Sequence, residues 1–201
     1  MTTEGASVLP GEGPLRVLPV SRERLRFIGD IRQEGGQDVG LCYQCRKCTA
    51  GCPVVDEMDL TPTQVIHAVR LGLRDLVLDS KTIWICASCE TCTTRCPQEV
   101  DIARVMDAAR ILARREGRRP RIPEVAAFHR SVLESLRMFG RLYELGAIGA
   151  LKLRTMRLTE DLDLGLRMFK KGKFRFIPAF ANVLATNRIF RRVKKAERAR
   201  T

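Results

Sequence analysis

The chain has 201 residues, 45% of them apolar and only 5% aromatic, with a formal net charge of +13. That is one domain, or one domain with an extension, and enough apolar content for a core made mostly of Leu, Val, Ile and Ala. No run approaches the ~18–20 apolar residues that a membrane-crossing helix needs, and the basic balance makes an acidic partner, a nucleic acid or an anionic surface worth testing.

The first twenty residues are rich in Gly and Pro and read as a flexible arm. They contain neither a basic n-region nor a long apolar h-region, which points to a cytoplasmic chain with reduced thiols. Leu25, Phe27, Ile28 and Ile31 predict a helix after Ser21, stopped at Gly35-Gly36. The stretch "CYQCRKCTAGCP" (42–53) follows. In "LTPTQVIHAVRLG", Thr61 is a helix N-cap, Pro62 suits the first helical position and Gln64 completes a capping box. Val65, Ile66 and Val69 form its inner stripe, and Gly72 ends it. A short segment with Leu73, Leu76 and Val77 leads through "KTIWI" into "CASCETCTTRCP" (86–97). Asp101 then caps a long helix with Ile102, Val105, Met106, Ala109 and Leu112 on one face, closed by Gly117. The pattern is an internal repeat of cysteine loop, Pro, cap and helix, with the two cysteine runs offset by 44 residues. Little alternating strand signal lies between the runs, so an all-α arrangement is favoured over the βαββαβ layout of small ferredoxins.

After the basic linker "REGRRPRIP" (115–123), Pro123 starts an amphipathic helix whose apolar positions are Val125, Phe128, Val132, Leu133, Leu136 and Phe139. From residue 164 onward there are twelve Lys/Arg and one acidic residue, Glu197, and the last helix, near 186–198, is strongly basic. The expected division is an arm over 1–20, an α-helical ferredoxin domain over 21–122 and a helical basic extension over 123–201 that docks to other subunits.

All eight cysteines lie in the two runs. Three cysteines at C-x2-C-x2-C can wrap one iron–sulfur cluster from a single loop, with backbone N–H groups free to donate to sulfur. The fourth, three residues on and followed by Pro, is turned away by the fixed φ of proline. In two-cluster proteins with this run the fourth cysteine ligates the other cluster. Carried onto this sequence, one [4Fe–4S] cluster takes Cys42, Cys45, Cys48 and Cys96, and the other takes Cys86, Cys89, Cys92 and Cys52. Structural zinc is the plain alternative, but zinc sites pair two C-x2-C knuckles around one tetrahedral ion, and three cysteines in one seven-residue loop suit zinc less well. Two oxidised clusters with their thiolates carry about −2 each, which lowers the net charge from +13 to about +9. Arg46 and Lys47 in the first loop, against Glu90 and Arg95 in the second, predict that the cluster on Cys42, Cys45 and Cys48 has the higher potential.

With these motifs in hand, "LCYQCRKCTAGCPVV", "DLTPTQVI", "IWICASCETCTTRCPQEVDIARVMDAAR" and "GLRMFKKGKF" resemble the C subunit of heterodisulfide reductase and its bacterial relatives, over about residues 25–195. The resemblance implies an α-helical ferredoxin fold with two [4Fe–4S] clusters. It also implies a subunit that relays electrons between a flavin subunit (A), which bifurcates or confurcates them, and a subunit (B) with Cys-Cys-Gly motifs where the disulfide is reduced. No cysteine follows Cys96 and no G-x-G-x-x-G loop occurs, so the disulfide-cleaving and flavin sites are expected on partners and no catalytic residue is assigned here. The basic tail raises two other readings, a nucleic-acid-binding iron–sulfur protein and one held at a membrane surface. Phe169, Phe174, Phe176 and Phe180 sit with Leu and Ile, which fits a docking surface better than a phosphate-backbone site. His67 and His129 read as ordinary helix residues. Trp84 and Tyr43 read as shields for the clusters. The band Arg110, Arg114, Arg115, Arg118, Arg119 and Arg121 reads either as a solvated face or as a contact for an acidic partner.

Overall fold

The computed structural model describes residues 21–156, 167–168, 170–171 and 178–199. The arm expected over 1–20 lies outside these residues, as do Phe169, Phe174 and Phe176. The regular structure among the described residues is all helix, with no strand among them. Helix α1 is Arg22–Gly35, capped by Ser21, whose hydroxyl accepts from the Arg24 N–H, and ended by Gly36 in the left-handed region (φ 66). A 3-10 turn at Val39–Leu41 leads into the first cysteine loop, which runs into the short α2, Lys47–Ala50. Helix α3 is Pro62–Arg70, and its capping box is complete: Gln64 N–H donates to Thr61 Oγ1, while Thr61 N–H donates to Gln64 Oε1 at 2.8 Å. Helices α4 (Arg74–Leu78) and α5 (Thr82–Ile85) connect to the second loop and its short α6 (Thr91–Thr94). Helix α7, Ile102–Arg115, follows with the Asp101 carboxylate accepting from the Arg104 N–H.

The core is one cluster. It joins Phe27 and Ile31 of α1, Val65, Ile66 and Val69 of α3, Val77 and Leu78 of α4, Ile83 and Trp84 of α5, and Val105, Met106 and Ala109 of α7. Each fully buried aliphatic side chain of this kind contributes about 1.5–3 kcal/mol of transfer free energy. Asp59 and Thr82 tie the two repeats together. The Asp59 carboxylate accepts from the N–H groups of Lys81 (2.7 Å), Thr82 (2.9 Å) and Leu60 (2.9 Å), and the buried Thr82 hydroxyl accepts from the Leu60 N–H at 3.0 Å. Desolvation pushes the Asp59 carboxyl up, but these N–H donors and the Thr82 hydroxyl outweigh it and hold it below the usual carboxylate range.

The C-terminal layer is α8 (Pro123–Phe139), α9 (Glu144–Thr155) and α10 (Val183–Arg198). Here the structure departs from the predicted apolar stripe. Phe128 and Leu133 are half exposed, and the buried residues of α8 are Ser131 and Ser135. The two serines are one turn apart and small, so α9 packs closely against them. Their hydroxyls are satisfied, since Arg154 donates to Ser131 Oγ at 2.6 Å and the Tyr143 N–H donates to Ser135 Oγ at 2.9 Å. The basic band is also mostly spoken for inside the fold. Arg115 pairs with Glu34 at 2.6 Å, Arg118 bonds Asp75, Asp79 and Glu116, and Arg121 donates to the Asp79 carbonyl at 2.9 Å.

Gly72 has φ 65, and a Cβ placed there would stand 2.5 Å from Arg24 Cβ and 2.7 Å from Arg24 Cα, so α1 crosses at a distance only glycine allows. Gly117 has a similar φ of 68 with nothing within 4 Å. Gly117→Ala is expected to cost about 1–2 kcal/mol, the left-handed backbone penalty alone. Gly72→Ala should cost about 2–4 kcal/mol, because α1 must also move. Anaerobic thermal unfolding should therefore place the Gly72→Ala midpoint clearly below that of Gly117→Ala.

Candidate iron–sulfur site

Each cysteine loop bends by the same device. Gln44 (φ 64) and Arg46 (φ 64) flank Cys45 in the left-handed region, and Ser88 (φ 49) and Glu90 (φ 59) flank Cys89 in the same way. Alternating right- and left-handed residues turn successive backbone N–H groups to one side, which makes a concavity that favours negative charge. None of the four is glycine, so each loop holds conformations that cost about 1–2 kcal/mol per residue.

None of the eight cysteines forms a disulfide; Cys45 and Cys89 are exposed and Cys48 is buried. The eight gather around two cavities. One is lined by Cys42, Cys45 and Cys48 of the first loop together with Cys96, and is walled by Val100 and Ile102. The other is lined by Cys86, Cys89 and Cys92 of the second loop together with Cys52, and is walled by Met58, Ala103 and Met106. No group of three or more His, Cys, Asp or Glu side chains among the described residues is arranged to hold a single metal ion. Four cysteines line each of the two cavities. That donor set fits a four-iron cube, whose irons supply its corners, better than one zinc ion needing four ligands at ~2.3 Å.

The groups that fix the loops sit at matching places in the two repeats. Nine residues past each N-cap stands an arginine. Arg70 donates to the Cys42 carbonyl at 2.7 Å, and Arg110 donates to the carbonyls of Cys86 (3.0 Å) and Ile83 (2.8 Å). Sequence reading missed Arg70 and placed Arg110 in a surface band. Aligning the two helices on their caps, Thr61 with Asp101, brings both arginines into register.

Two residues past each cap the repeats differ, with Thr63 on α3 and Ala103 on α7. The Thr63 hydroxyl lies 3.2 Å from Cys48 Sγ and 2.7 Å from the Thr49 hydroxyl, and Thr49 Oγ1 accepts from the Thr63 N–H at 3.1 Å. A thiolate has no proton to give, so Thr63 donates to sulfur and Thr49 donates to Thr63. The Gln44 side-chain amide donates to Cys42 Sγ at 3.3 Å. In the second loop the hydroxyl partner is Thr91, 3.4 Å from Cys89 Sγ, while Thr93, the counterpart of Thr49, donates to Asp101 instead. In the metal-free chain, burial is the main cause that pushes the thiol of Cys86 up and that of Cys92 to about 11. Hydrogen bonds from Thr91 hold Cys89 below its ordinary value, so Cys89 is the first of these three to ionise.

Of the shielding residues, Trp84 is buried and Tyr43 is 57% exposed, so only Trp84 excludes water from the interior. His67 is exposed on α3, and His129 stacks at an angle against Phe128, so neither joins the cysteines.

Residues 41–101 match the 4Fe-4S dicluster domain family. The chain is 30% identical to the second iron-sulfur C subunit of the CoB–CoM heterodisulfide reductase of Methanocaldococcus jannaschii, over 83% of this chain and 95% of that one. The chain belongs to the family of heterodisulfide reductase C subunits. It is also 34% identical to the C subunit of the H(2):CoB-CoM heterodisulfide,ferredoxin reductase of Methanothermobacter marburgensis, over 45% of this chain and 49% of that one, so this alignment spans about half of that relative. With the iron-sulfur C subunit of the CoB–CoM heterodisulfide reductase of Methanopyrus kandleri the identity is 39%, over 43% of this chain and 45% of the relative. Two [4Fe–4S] clusters are the cofactors of this C-type chain, and no helix among its described residues is long and apolar enough to cross a membrane.

Two outcomes test the site. Ser88→Gly should leave iron content unchanged, whereas Ser88→Val should lower it, since a β-branched residue resists the left-handed region. Thr63→Val removes a donor to sulfur and should lower the potential of one cluster by tens of millivolts, while Ala103→Ser should raise the other; an anaerobic redox titration followed by electron paramagnetic resonance reads both.

Proposed function

We propose that this C-type chain is an electron relay in a cytoplasmic heterodisulfide reductase-like complex, standing between a flavin subunit (A) that bifurcates or confurcates electrons and a Cys-Cys-Gly subunit (B). Each cluster, when bound, takes up and gives back an electron. In this reading Cys42, Cys45, Cys48 and Cys96 hold one cluster, and Cys86, Cys89, Cys92 and Cys52 hold the other. The observation that carries it is the pairing of cavities, each lined by three cysteines of one loop and the fourth of the other. A fold in which each loop completes the site of its neighbour keeps the two sites adjacent, as a relay requires.

Further support comes from what the chain's own residues do. Cys45 and Cys89 are the exposed sulfurs, one in each loop, so each site has one face toward a partner. Apolar side chains from both helices that follow the loops close the remaining walls and exclude water. The donors to Cys42 and Cys48, together with Arg46 and Lys47, favour extra negative charge at the first site, and Glu90 disfavours it at the second. Residues 21–122 form the ferredoxin domain in this reading, and 123–201 form the extension that docks to other subunits.

Cys96→Ser is the direct test. It should damage the cluster on Cys42, Cys45 and Cys48, leave the cluster on Cys86, Cys89 and Cys92 largely intact, and lower the iron count from about eight to roughly four per chain. Sparing of the first cluster would refute the ligand assignment.

A further inference from the structure

Where α8 leaves the ferredoxin core and α10 folds back beside it, a groove of about 360 Å³ opens between the two parts of the chain. Its apolar floor is Trp84, Ala126, Leu133 and Phe190, and its rim carries Arg114, Arg130 and Arg137. Glu134 is the one carboxylate lining it among the described residues, and Arg130 (3.0 Å) and Arg154 already share it. Arg114 and Arg137 make no ion pair among the described residues. His129, on the same wall, is held low by burial, helped by Arg110 and Arg114, and adds no charge near neutral pH.

The shape and chemistry select the occupant. Trp84 is 3% exposed, so it offers no open face on which a base could stack, which disfavours nucleic acid. A bilayer receives a convex apolar face, and this one is concave and walled by two helices. An apolar floor with surplus guanidinium groups at its edge complements an amphipathic protein segment that carries carboxylates.

We propose that this groove seats an acidic, amphipathic segment of a partner protein in the complex, its apolar side chains on Leu133 and Phe190 and its carboxylates on Arg114 and Arg137. The inference rests on the reading of the chain as a subunit of a larger complex, and it names where one partner binds. The place has a consequence for electron transfer. Helix α5, which floors the groove with Trp84, ends at Cys86, whose carbonyl is held by Arg110, one turn before Arg114 on α7. A partner seated there is anchored on the elements that fix the second loop.

The test uses the full chain, tagged in its native host and purified anaerobically with its clusters. Wild type should co-elute with a partner protein. The double variant Arg114→Glu/Arg137→Glu should keep its iron content and helical circular dichroism and lose at least ~90% of that partner, whereas Arg119→Glu, outside the groove lining, should retain it. A photo-cross-linking residue at Leu133 should join an acidic segment of the same partner. If the wild type brings down a partner and the double variant brings down as much, or if the cross-link from Leu133 lands on lipid, on nucleic acid or on nothing, the groove assignment is overturned while the subunit reading stands. If no partner accompanies the wild type, the subunit reading itself fails and the groove assignment falls with it.

Discussion

Eight cysteine side chains crowd into two cavities in this fold, and none is bonded to another. Ionised together, they repel, and the repulsion grows as water is excluded and the local dielectric falls. The rest of the ferredoxin core works against that repulsion. Left-handed residues on either side of Cys45 and Cys89 curl each loop so that its N–H groups gather on one side. Arg70 and Arg110 reach across to the carbonyls of Cys42 and Cys86, so each loop's start is gripped by a permanent cation. Part of the surplus positive charge of the chain is thus explained by anions within it.

The two halves are copies in outline and differ where charge and proton donors matter. Thr63 faces Cys48 through a hydroxyl, whereas in the second half Ala103, at the matching place after the cap, lines the cavity of Cys92 without a donor. Arg46 occupies the left-handed position that Glu90 fills in the other loop. Gly51 and Arg95 hold equivalent places before the fourth cysteines, and the Arg95 side chain lies over Gly51, where a Cβ would come within 2.6–2.9 Å of it. A duplicated fold with identical surroundings would give two equivalent sites and no preference for where an electron rests. Unequal donors and unequal charge provide that preference without any change in backbone.

Much of this was legible in the sequence for identifiable reasons. Ser21, Thr61, Asp101 and Pro123 mark helix starts by chemistry that works locally, and all four hold in the structure. The spacing of the cysteines carried the cofactor. The left-handed turns were hidden because Gln, Arg, Ser and Glu do not announce positive φ as Gly does. Ser131 and Ser135 were hidden too, since hydropathy places Phe128 and Leu133 inward, whereas close helix approach selects small side chains. Arg115 and Arg118 read as surface cations, because pairing with Glu34, Asp75 and Asp79 depends on helices that meet only after folding.

Helix α10 rests against α8. None of the residues of α10 is buried, and a helix of 16 residues that rests on one weak face is marginal by itself. Three contacts among the described residues join α10 and the residues just before it to α8. Asn187 donates to the Arg137 carbonyl at 3.2 Å, the Ala181 N–H donates to the Phe139 carbonyl at 3.0 Å, and Phe180 packs on Phe139 at 5.6 Å. Meanwhile Leu184 (80%), Ile189 (61%) and Val193 (52%) are exposed on the same helix that carries Arg188, Arg191, Arg192, Lys194 and Lys195. Ion pairs on such a surface would each be worth less than about 1 kcal/mol, too little to fix it. Burial of those three aliphatic side chains is worth more than any of them, at roughly 1.5–3 kcal/mol apiece. Covering Ile189 and Val193, one turn apart on α10, therefore stabilises that helix by linkage, and its order and the occupancy of that patch rise together.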